Sequence, residues 1–441
     1  MKLLFVENRY KTLLLEAVAE SLSAEHEIYW IVQNSSFTPS SGNTHVIPYP
    51  SKKKLQNIEI DYDINYDKII QSDRQVNFFK KQDKNYFYYY ANEIASTLLK
   101  VQPDFIFGEA TAFHELITIE LSKKFKIQYL NPTTCRYPTG RFSFYNYESL
   151  EPYMGSNEVL EREEVLKQVA SINDRSIKPD YMKKVSISKN KNLKDKLKII
   201  TSYYNGEKYN TPPPIVKLKL ERLKNQSIKK WYTFAKSSID TSKTSILFPM
   251  HMQPESNIDV WGRLYRDQFK TIKNIHKSLL EGQILYVKPN PKSKYELSNE
   301  LIDYIQSHEN IVALRHDLPM SEIFNDVNLV TTITGTIAIE CILANKPVVT
   351  FVKTINNTAS NCLFTDNYKT LTEYFKMIES NSFPQIEEEE KLSFFNTLNK
   401  LSFKGIIADP YNNPNSTSKE NIENIKHAFN VVISNEQASF I

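Results

Sequence analysis

The chain has 441 residues, more than one hydrophobic core usually serves, so two domains are expected. With 41% apolar and 24% charged residues it has the composition of a soluble globular protein, and a net charge of +4 is too small to imply a global nucleic-acid partner. Its nine glycines form neither G-x-G-x-x-G nor G-x-x-x-x-G-K-[ST], which removes the dinucleotide and P-loop fingerprints, and the three cysteines (Cys135, Cys341, Cys362) lack metal-ligand spacing and fit reduced thiols in a cytoplasmic protein.

Lys2 to Val6 reads as a buried first strand and not as an export signal, because its apolar run is short and stops at Glu7. No stretch reaches the roughly 20 apolar residues that cross a bilayer. A helix over 11–22 and a strand over 27–32 follow, and strand–helix–strand alternation marks a parallel α/β sheet. Glu7 and Arg9 stand at the carboxyl end of the first strand, where open α/β sheets bind ligands. Residues 34–75 are polar and read as a connection or small lid. The spacing over 76–101 predicts one long helix whose aromatics, Tyr86 to Tyr90, pack into a core. A strand over 103–107 leads through Gly108 to Glu109, Thr111 and His114 at the start of the next helix. Carboxylate and imidazole accept a hydroxyl proton near neutral pH, so Glu109 and His114 are candidate catalytic groups, with a helix-dipole role open for Glu109. A strand over 127–130 then gives way to a loop, 131–141, bearing Arg136 and Arg141, whose planar forks match a carboxylate or phosphate.

From about residue 150 the chain turns basic. Residues 181–230 hold fourteen Lys and Arg against Asp195, Glu207 and Glu221, an excess of eleven. Runs at 189–198 and 215–223 read as helices with apolar stripes, the pattern of segments that lie on anionic bilayers or bind phosphate-bearing chains; a solvated helix face reads the same way. Prolines 212–214 divide the segment, and 237–244 is a polar linker.

Five short apolar runs follow, at 245–248, 283–287, 311–314, 327–331 and 348–351, separated by helical patterns. Just beyond the first four come His251, Gln253 and Glu255; Lys288 and Asn290; Arg315 and His316; and Thr334, Gly335 and Thr336. Anion-capable groups thus collect at one edge of one sheet. Gly335 permits a tight turn, Thr334 and Thr336 are candidate caps, and the first N–H groups of the helix that follows favour a phosphate. Glu340, one turn in, is placed to accept hydrogen bonds from a ribose. Asp61 and Asp63 sit in a polar stretch, and no metal site is read from the sequence. Residues 386–391 open a solvated helix, and 418–432 reads as a final amphipathic helix.

The apolar strand with Thr331, Thr334, Gly335, Thr336 and Glu340, followed by Asn345-Lys-Pro-Val-Val349, resembles the C-terminal domain of GT-B sugar-nucleotide glycosyltransferases. It is most similar to the bacterial capsule polysaccharide biosynthesis proteins, the family that contains the Kdo transferases, and the stretches Leu247 to Glu255 and Tyr286 to Ser293 share the likeness. The resemblance implies an α/β fold of GT-B type, two Rossmann-like parallel-sheet domains facing a central cleft. They divide as an acceptor domain over 1–150, a basic helical insert and linker over 151–240, a nucleotide-sugar-binding domain over 241–405, and a helical segment over 406–441 returning to the first domain. It implies that Thr334, Gly335 and Thr336 hold the donor phosphate, that Lys288 and Arg315 neutralise charge, and that Glu340 binds the nucleoside's sugar, with Asn290 and His316 in the same nucleotide site. Gln253 and Glu255 would face donor or acceptor, with His251 as a further catalytic candidate, while Glu7, Arg9, Arg136 and Arg141 would contact substrate. Related enzymes that use CMP sugars often carry His-Pro where this chain has Asn290-Pro291, so where imidazole is required His251 or His316 must provide it.

The reaction expected is transfer of a sugar from a nucleotide donor, CMP-Kdo or another CMP-activated acidic sugar being preferred, to a capsule, O-antigen or other surface glycan. The acceptor is an oligosaccharide or lipid-linked glycan, and no metal or other cofactor is expected. A UDP-sugar donor, a sugar-nucleotide epimerase of the same fold and a non-catalytic glycan or lipid-carrier binding protein are the alternatives. The expected setting is the cytoplasm, with peripheral contact through 181–230 to anionic lipid on the inner face of the plasma membrane.

Overall fold

The computed structural model describes residues 1–79, 81, 83–177, 179, 201–292 and 295–439, with Thr336 and 436–439 described for their backbone alone. These fall into two compact units: Met1–Leu160 with 201–212 and 396–439 in unit 1, and Glu161–Ile177 with Pro213–Phe395 in unit 2. The basic stretch is therefore divided between the units, and its run at 189–198 lies outside the described residues.

In unit 1, β1 (Lys2–Val6), β2 (Glu27–Val32), β3 (Asn43–Val46), β4 (Phe105–Phe107) and β5 (Gln128–Thr134) run parallel in the order 3-2-1-4-5, and β6 (Arg141–Asn146) pairs antiparallel to β5. The chain winds outward from β1 and then restarts on its other side with β4, so the topological switch point lies where Leu3 to Phe5 pair with Phe105 to Phe107. Leu3, Leu4, Phe5 and Val6 are all buried, as a central parallel strand covered on both faces requires. The helix Thr12–Leu22 buries Leu14, Leu15, Val18, Ala19 and Leu22 against this sheet. Beside it lies the last helix, Lys419–Ser439, whose Phe429 ring is 4.6 Å from Phe107 and 4.9 Å from Phe144.

Three expectations for unit 1 change. Residues 34–75 hold β3 and the helices Lys52–Gln56 and Tyr66–Ser72; β3 is a half-exposed edge strand paired to β2, which is why its residues read as polar. The single helix expected over 76–101 is two, Arg74–Asn77 and Asn85–Val101. Between them Lys81 sets its ammonium over the Tyr86 and Tyr209 rings, at 4.2 and 4.0 Å, while Tyr86, Phe87, Tyr89 and Tyr90 are buried as core. Finally, 131–141 is a hairpin, because β5 extends to Thr134 and pairs it with Phe142.

Unit 2 contains β7 (Ser245–Pro249), β8 (Ile284–Lys288), β9 (Ile311–Ala313), β10 (Leu329–Thr332), β11 (Val348–Thr350) and β12 (Cys362–Phe364), all parallel, in the order 12-11-10-7-8-9. Counted from β7, that is the doubly wound order 3-2-1-4-5-6, with its switch point between β7 and β10. The sixth strand, β12, is a three-residue edge that escaped the apolar-run reading. The helix Pro214–Tyr232 is anchored by its last turn: Trp231 is buried and its Nε1 donates to the Leu314 carbonyl at 2.8 Å. Strand β13 (Phe403–Lys404) rejoins the sheet of unit 1, antiparallel to β6. Both units are thus Rossmann-like α/β sheets, the GT-B fold class that the sequence led us to expect. No helix among the described residues is long and apolar enough to cross a membrane.

Candidate functional site

Because the strands of unit 2 are parallel, the turns that follow β7, β8, β9 and β10 emerge on one rim of the sheet. The turn after β7 is fixed by Gln268, the first residue of the helix Gln268–Lys277. Its Oε1 accepts from the His251 N–H at 2.7 Å, and its Nε2 donates to the His251 carbonyl at 2.9 Å and to Gln253 Oε1 at 3.0 Å. Gln253 Nε2 in turn donates to Asp259 Oδ1 at 2.9 Å and to the Arg266 carbonyl at 2.8 Å. The Gln253 amide, expected to face a ligand, is therefore spent on holding this turn. Asp259 Oδ2 accepts from the Glu255 N–H at 2.9 Å, which leaves His251 buried and Glu255 partly buried on a locked loop.

Lys288 closes β8 with its side chain 3% exposed, and no carboxylate among the described residues pairs with it; Nζ reaches only the Pro289 carbonyl, at 3.4 Å. Burial pushes its amine down to about 8, against the pull of the Asp317 carboxylate. The His316 imidazole is also pushed down, first by burial and then by the Lys288 ammonium, and its buried Nε2 has no hydrogen-bond partner among the described residues. Arg315 is exposed and forks onto Asp317, Nε to Oδ1 at 3.1 Å and Nη2 to Oδ2 at 2.9 Å. Asn290 Oδ1 accepts from the Lys292 N–H at 2.9 Å.

Across the switch point, Gly335 takes the N-cap position of the helix Thr336–Leu343 with φ 69°. Thr334, expected as a cap, precedes that position; its Oγ1 is buried and unpartnered among the described residues, and Gly335 brings no side chain to the cap. The Thr336 side chain lies outside what is described. Asn356 Nδ2 donates to the Gly335 carbonyl at 3.2 Å and steadies the turn. An eight-residue helix thereby presents its first N–H groups and its positive dipole end to the rim. Glu340, one turn in, stands 3.2 Å from Arg175 Nη1.

Unit 1 builds a second polar rim at its own switch point. Glu7 is buried and accepts from the backbone N–H groups of Arg9 at 2.6 Å, Gln33 at 3.3 Å and Asn34 at 3.0 Å, so it shapes the rim and does not reach a ligand; burial pushes its carboxyl up. Arg9, with 43% of its side chain exposed, pairs through Nε with the buried Glu207 at 3.2 Å. His114 Nε2 lies 2.8 Å from the Glu7 carbonyl; a carbonyl only accepts, so Nε2 carries a proton and donates there, while the buried Nδ1 has no hydrogen-bond partner among the described residues. Glu109 accepts from Asn8 Nδ2 at 3.2 Å and is ion-paired to Lys11, whose amine burial lowers to about 8. Arg136, in the turn between β5 and β6, is partly buried. Arg141 is committed elsewhere: Nε donates to Ser402 Oγ at 2.8 Å, Nη2 to Ser156 Oγ and the Ser402 and Asn399 carbonyls at 2.9, 2.8 and 3.2 Å, and Nη1 pairs with Glu158 at 2.8 Å.

The two rims also contain residues that sequence reasoning missed. Glu115 Oε2 accepts from the Thr111 and Ala112 N–H groups at 2.9 and 2.8 Å, and its Oε1 from Asn8 Nδ2 at 2.7 Å. It stands three residues after Ala112, the N-cap of the helix Phe113–Phe125, and since alanine has no side-chain acceptor only half of the capping-box pattern was readable. Lys11 stood in the turn after β1, whereas Glu207 and Asn356 come from distant segments without a local signal. Among the described residues no group of three or more His, Cys, Asp or Glu is arranged to hold a metal ion.

Among solved structures the chain is similar to a KpsC β-Kdo 2,7-transferase of Thermosulfurimonas dismutans, at 8% identity and a TM-score of 0.39 over 93% of this chain and 94% of that one. It is also similar to a KpsC β-Kdo 2,4-transferase from the same organism, at 11% identity and 0.34 over 74% and 86%. A UDP-GlcNAc 2-epimerase of Neisseria meningitidis bound to UDP-GlcNAc matches at 15% identity and 0.29 over 95% and 97%. No curated protein matches. Residues 153–359, which carry the turns after β7 to β10, match the family model described as capsule polysaccharide biosynthesis protein.

Proposed function

We propose that this protein is a glycosyltransferase that binds its nucleotide-sugar donor at the rim of unit 2 and transfers the sugar to a growing surface glycan. Lys288 carries the reading. A buried ammonium with no carboxylate partner is costly unless an anion meets it, and this one shares a rim with the helix N-terminus opened by Gly335. Lys288, those N–H groups and the unpartnered Thr334 hydroxyl then hold the donor phosphate, with Arg315 adding charge and Glu340 the ribose contact. The preferred donor is a CMP-activated acidic sugar such as Kdo, following the family resemblance. His316, coupled to Lys288, supplies the imidazole that Asn290 cannot.

The acceptor, an oligosaccharide or lipid-linked glycan, is assigned to the rim of unit 1. Its hydroxyl oxygen attacks the anomeric carbon while the bond to the donor phosphate breaks, and the electron pair leaves on that phosphate, where Lys288 and the helix N–H groups stabilise it. The hydroxyl proton passes to Glu109, which is ion-paired to Lys11, or to His114 Nδ1. Cys135, Cys341 and Cys362, all free thiols, suit the cytoplasmic setting. Of the segment 181–230 proposed for membrane contact, residues 201–230 are described, and most of them lie in the helix Pro214–Tyr232.

Thermal melting with CMP, UDP, GDP and CDP tests the reading. The preferred nucleotide at about 100 times its dissociation constant stabilises the fold by roughly 2.7 kcal/mol. Consumption of CMP-Kdo only when a glycan acceptor is present then identifies the transferase. No response to any nucleotide removes the proposal, and epimerisation of a UDP-sugar without acceptor replaces it with the epimerase.

A further inference from the structure

Large aliphatic side chains left in water invite an explanation when they line up with cations. The helix Pro214–Tyr232 is held in unit 2 by Ile228 and Trp231 at its C-terminal end, whereas its first three turns leave Ile215 78%, Leu218 64% and Leu223 48% exposed. Positions 215, 218, 219, 222 and 223 recur at three- and four-residue intervals and therefore share one face, with 226 and 229 continuing it. On that face stand Lys219, Arg222 and Lys229, all exposed and none in an ion pair among the described residues. The helix's one acid, Glu221, is 2.6 Å from Lys224 and is thereby neutralised within the helix.

We infer that this outward face is a docking surface for an anionic lipid bilayer. The aliphatic tips enter the headgroup boundary, and the long cationic stems, lying between them on the same face, let their charged ends rise to lipid phosphates. A soluble polyanion would use the cations and leave Ile215 and Leu218 in water, so interleaving of the two kinds of side chain selects the membrane interface. Each basic side chain near an anionic surface strengthens binding about fivefold. The surface is independent of the donor and acceptor sites, so it stands or falls without the glycosyltransferase reading.

Co-sedimentation of the full chain with phosphatidylcholine vesicles, with and without phosphatidylglycerol, at physiological salt tests this. The chain is expected to pellet with the anionic vesicles only. Lys219→Gln with Arg222→Gln weakens the partition about 25-fold, two fivefold steps, and Ile215→Ser with Leu218→Ser weakens it at least tenfold. These residues are exposed, so unchanged melting temperatures verify that the variants fold. Absence of binding to anionic vesicles, indifference to both variant pairs, or loss with the cation pair alone each overturns the inference. Equal capture by a soluble acidic polymer would do so as well.

Discussion

Arg175 Nη1 lies 3.2 Å from Glu340 Oε2, with its Cζ 4.9 Å above the Phe324 ring, so the helix that opens at Gly335 is tethered from the side. A second tie, Asn173 Nδ2 to the Leu343 carbonyl at 3.1 Å, holds the far end of that helix. Glu340 is thus preset by a partner before any ribose reaches it. Glu340→Gln is expected to weaken nucleotide binding about tenfold, the range of one charged hydrogen bond. Arg175→Met is expected to cost roughly 1 to 2 kcal/mol of stability, between an exposed and a buried pair, with a smaller effect on affinity. Calorimetric titration with CMP beside thermal melts separates the two. Unchanged affinity in Glu340→Gln would make the carboxylate part of the tether alone.

If Lys288 holds the donor phosphate as proposed, nucleotide binding is expected to depend on pH. Its amine holds a proton to about 8 when folded against the ordinary 10.5. Between those values the unfolded chain binds more protons, so the penalty of burying the charge is carried in full below about pH 8 and is relieved as pH rises toward 10.5. At roughly 1.4 kcal/mol per pH unit that penalty is about 3 kcal/mol. Lys288→Met should therefore raise the melting temperature at pH 7 while abolishing stabilisation by nucleotide. In the native protein a bound phosphate restores the amine's proton, so nucleotide affinity should fall by up to about tenfold per unit above pH 8. Melts with and without nucleotide at pH 7 and pH 9 read both effects, and a Lys288→Met protein that still responds to nucleotide would remove this residue from the site.

Arg141 was placed on a substrate by its residue type and its loop, and the structure uses it as a staple between β6 and the segment 399–402. Removing it strips one donor each from the Asn399 and Ser402 carbonyls, which keep the N–H groups of Ser402 and Ser156, and takes from Ser402 Oγ, Ser156 Oγ and Glu158 the fork they share. Arg141→Met is expected to destabilise the protein by about 3 kcal/mol without changing CMP affinity. Lysine should not rescue it, since one ammonium cannot replace a fork that serves several acceptors. A normal melting curve with lost turnover would return Arg141 to a substrate role.

The parts of the molecule that could be read from the sequence were those whose signal is local. Buried parallel strands such as Leu3 to Val6 and Leu247 to Phe248 announce themselves as apolar runs, and the turn residues that follow them, from Lys288 to Gly335, fall on one rim once the strands are parallel. What stayed hidden depended on pairing across the chain. Glu207 neutralises Arg9 from nearly 200 positions away, and Ser402 claims Arg141 from 261 positions away. Edge strands β3 and β12 were hidden for another reason: half-exposed and short, they carry too little apolar pattern to stand out.

Gly335 offers the sharpest test of the phosphate-binding role proposed for its turn. Its φ of 69° lies in the left-handed region, which costs a side chain roughly 1 to 2 kcal/mol. An added Cβ would also sit 3.2 Å from Asn356 Nδ2 and 3.3 Å from both Ala338 Cβ and Thr350 Cγ2. The Asn356 amide can yield only by lengthening its 3.2 Å bond to the Gly335 carbonyl, whereas Thr350 belongs to β11 and cannot move without its strand. Relief therefore comes from the turn itself, shifting the first N–H groups of the helix Thr336–Leu343 away from where a phosphate docks. Gly335→Ala is expected to lower stability by about 2 kcal/mol and nucleotide affinity at least tenfold. Gly335→Asn tolerates the left-handed backbone better and should recover part of the stability but little of the affinity. If both variants bind CMP as the native protein does, the helix N-terminus is not where the donor phosphate sits.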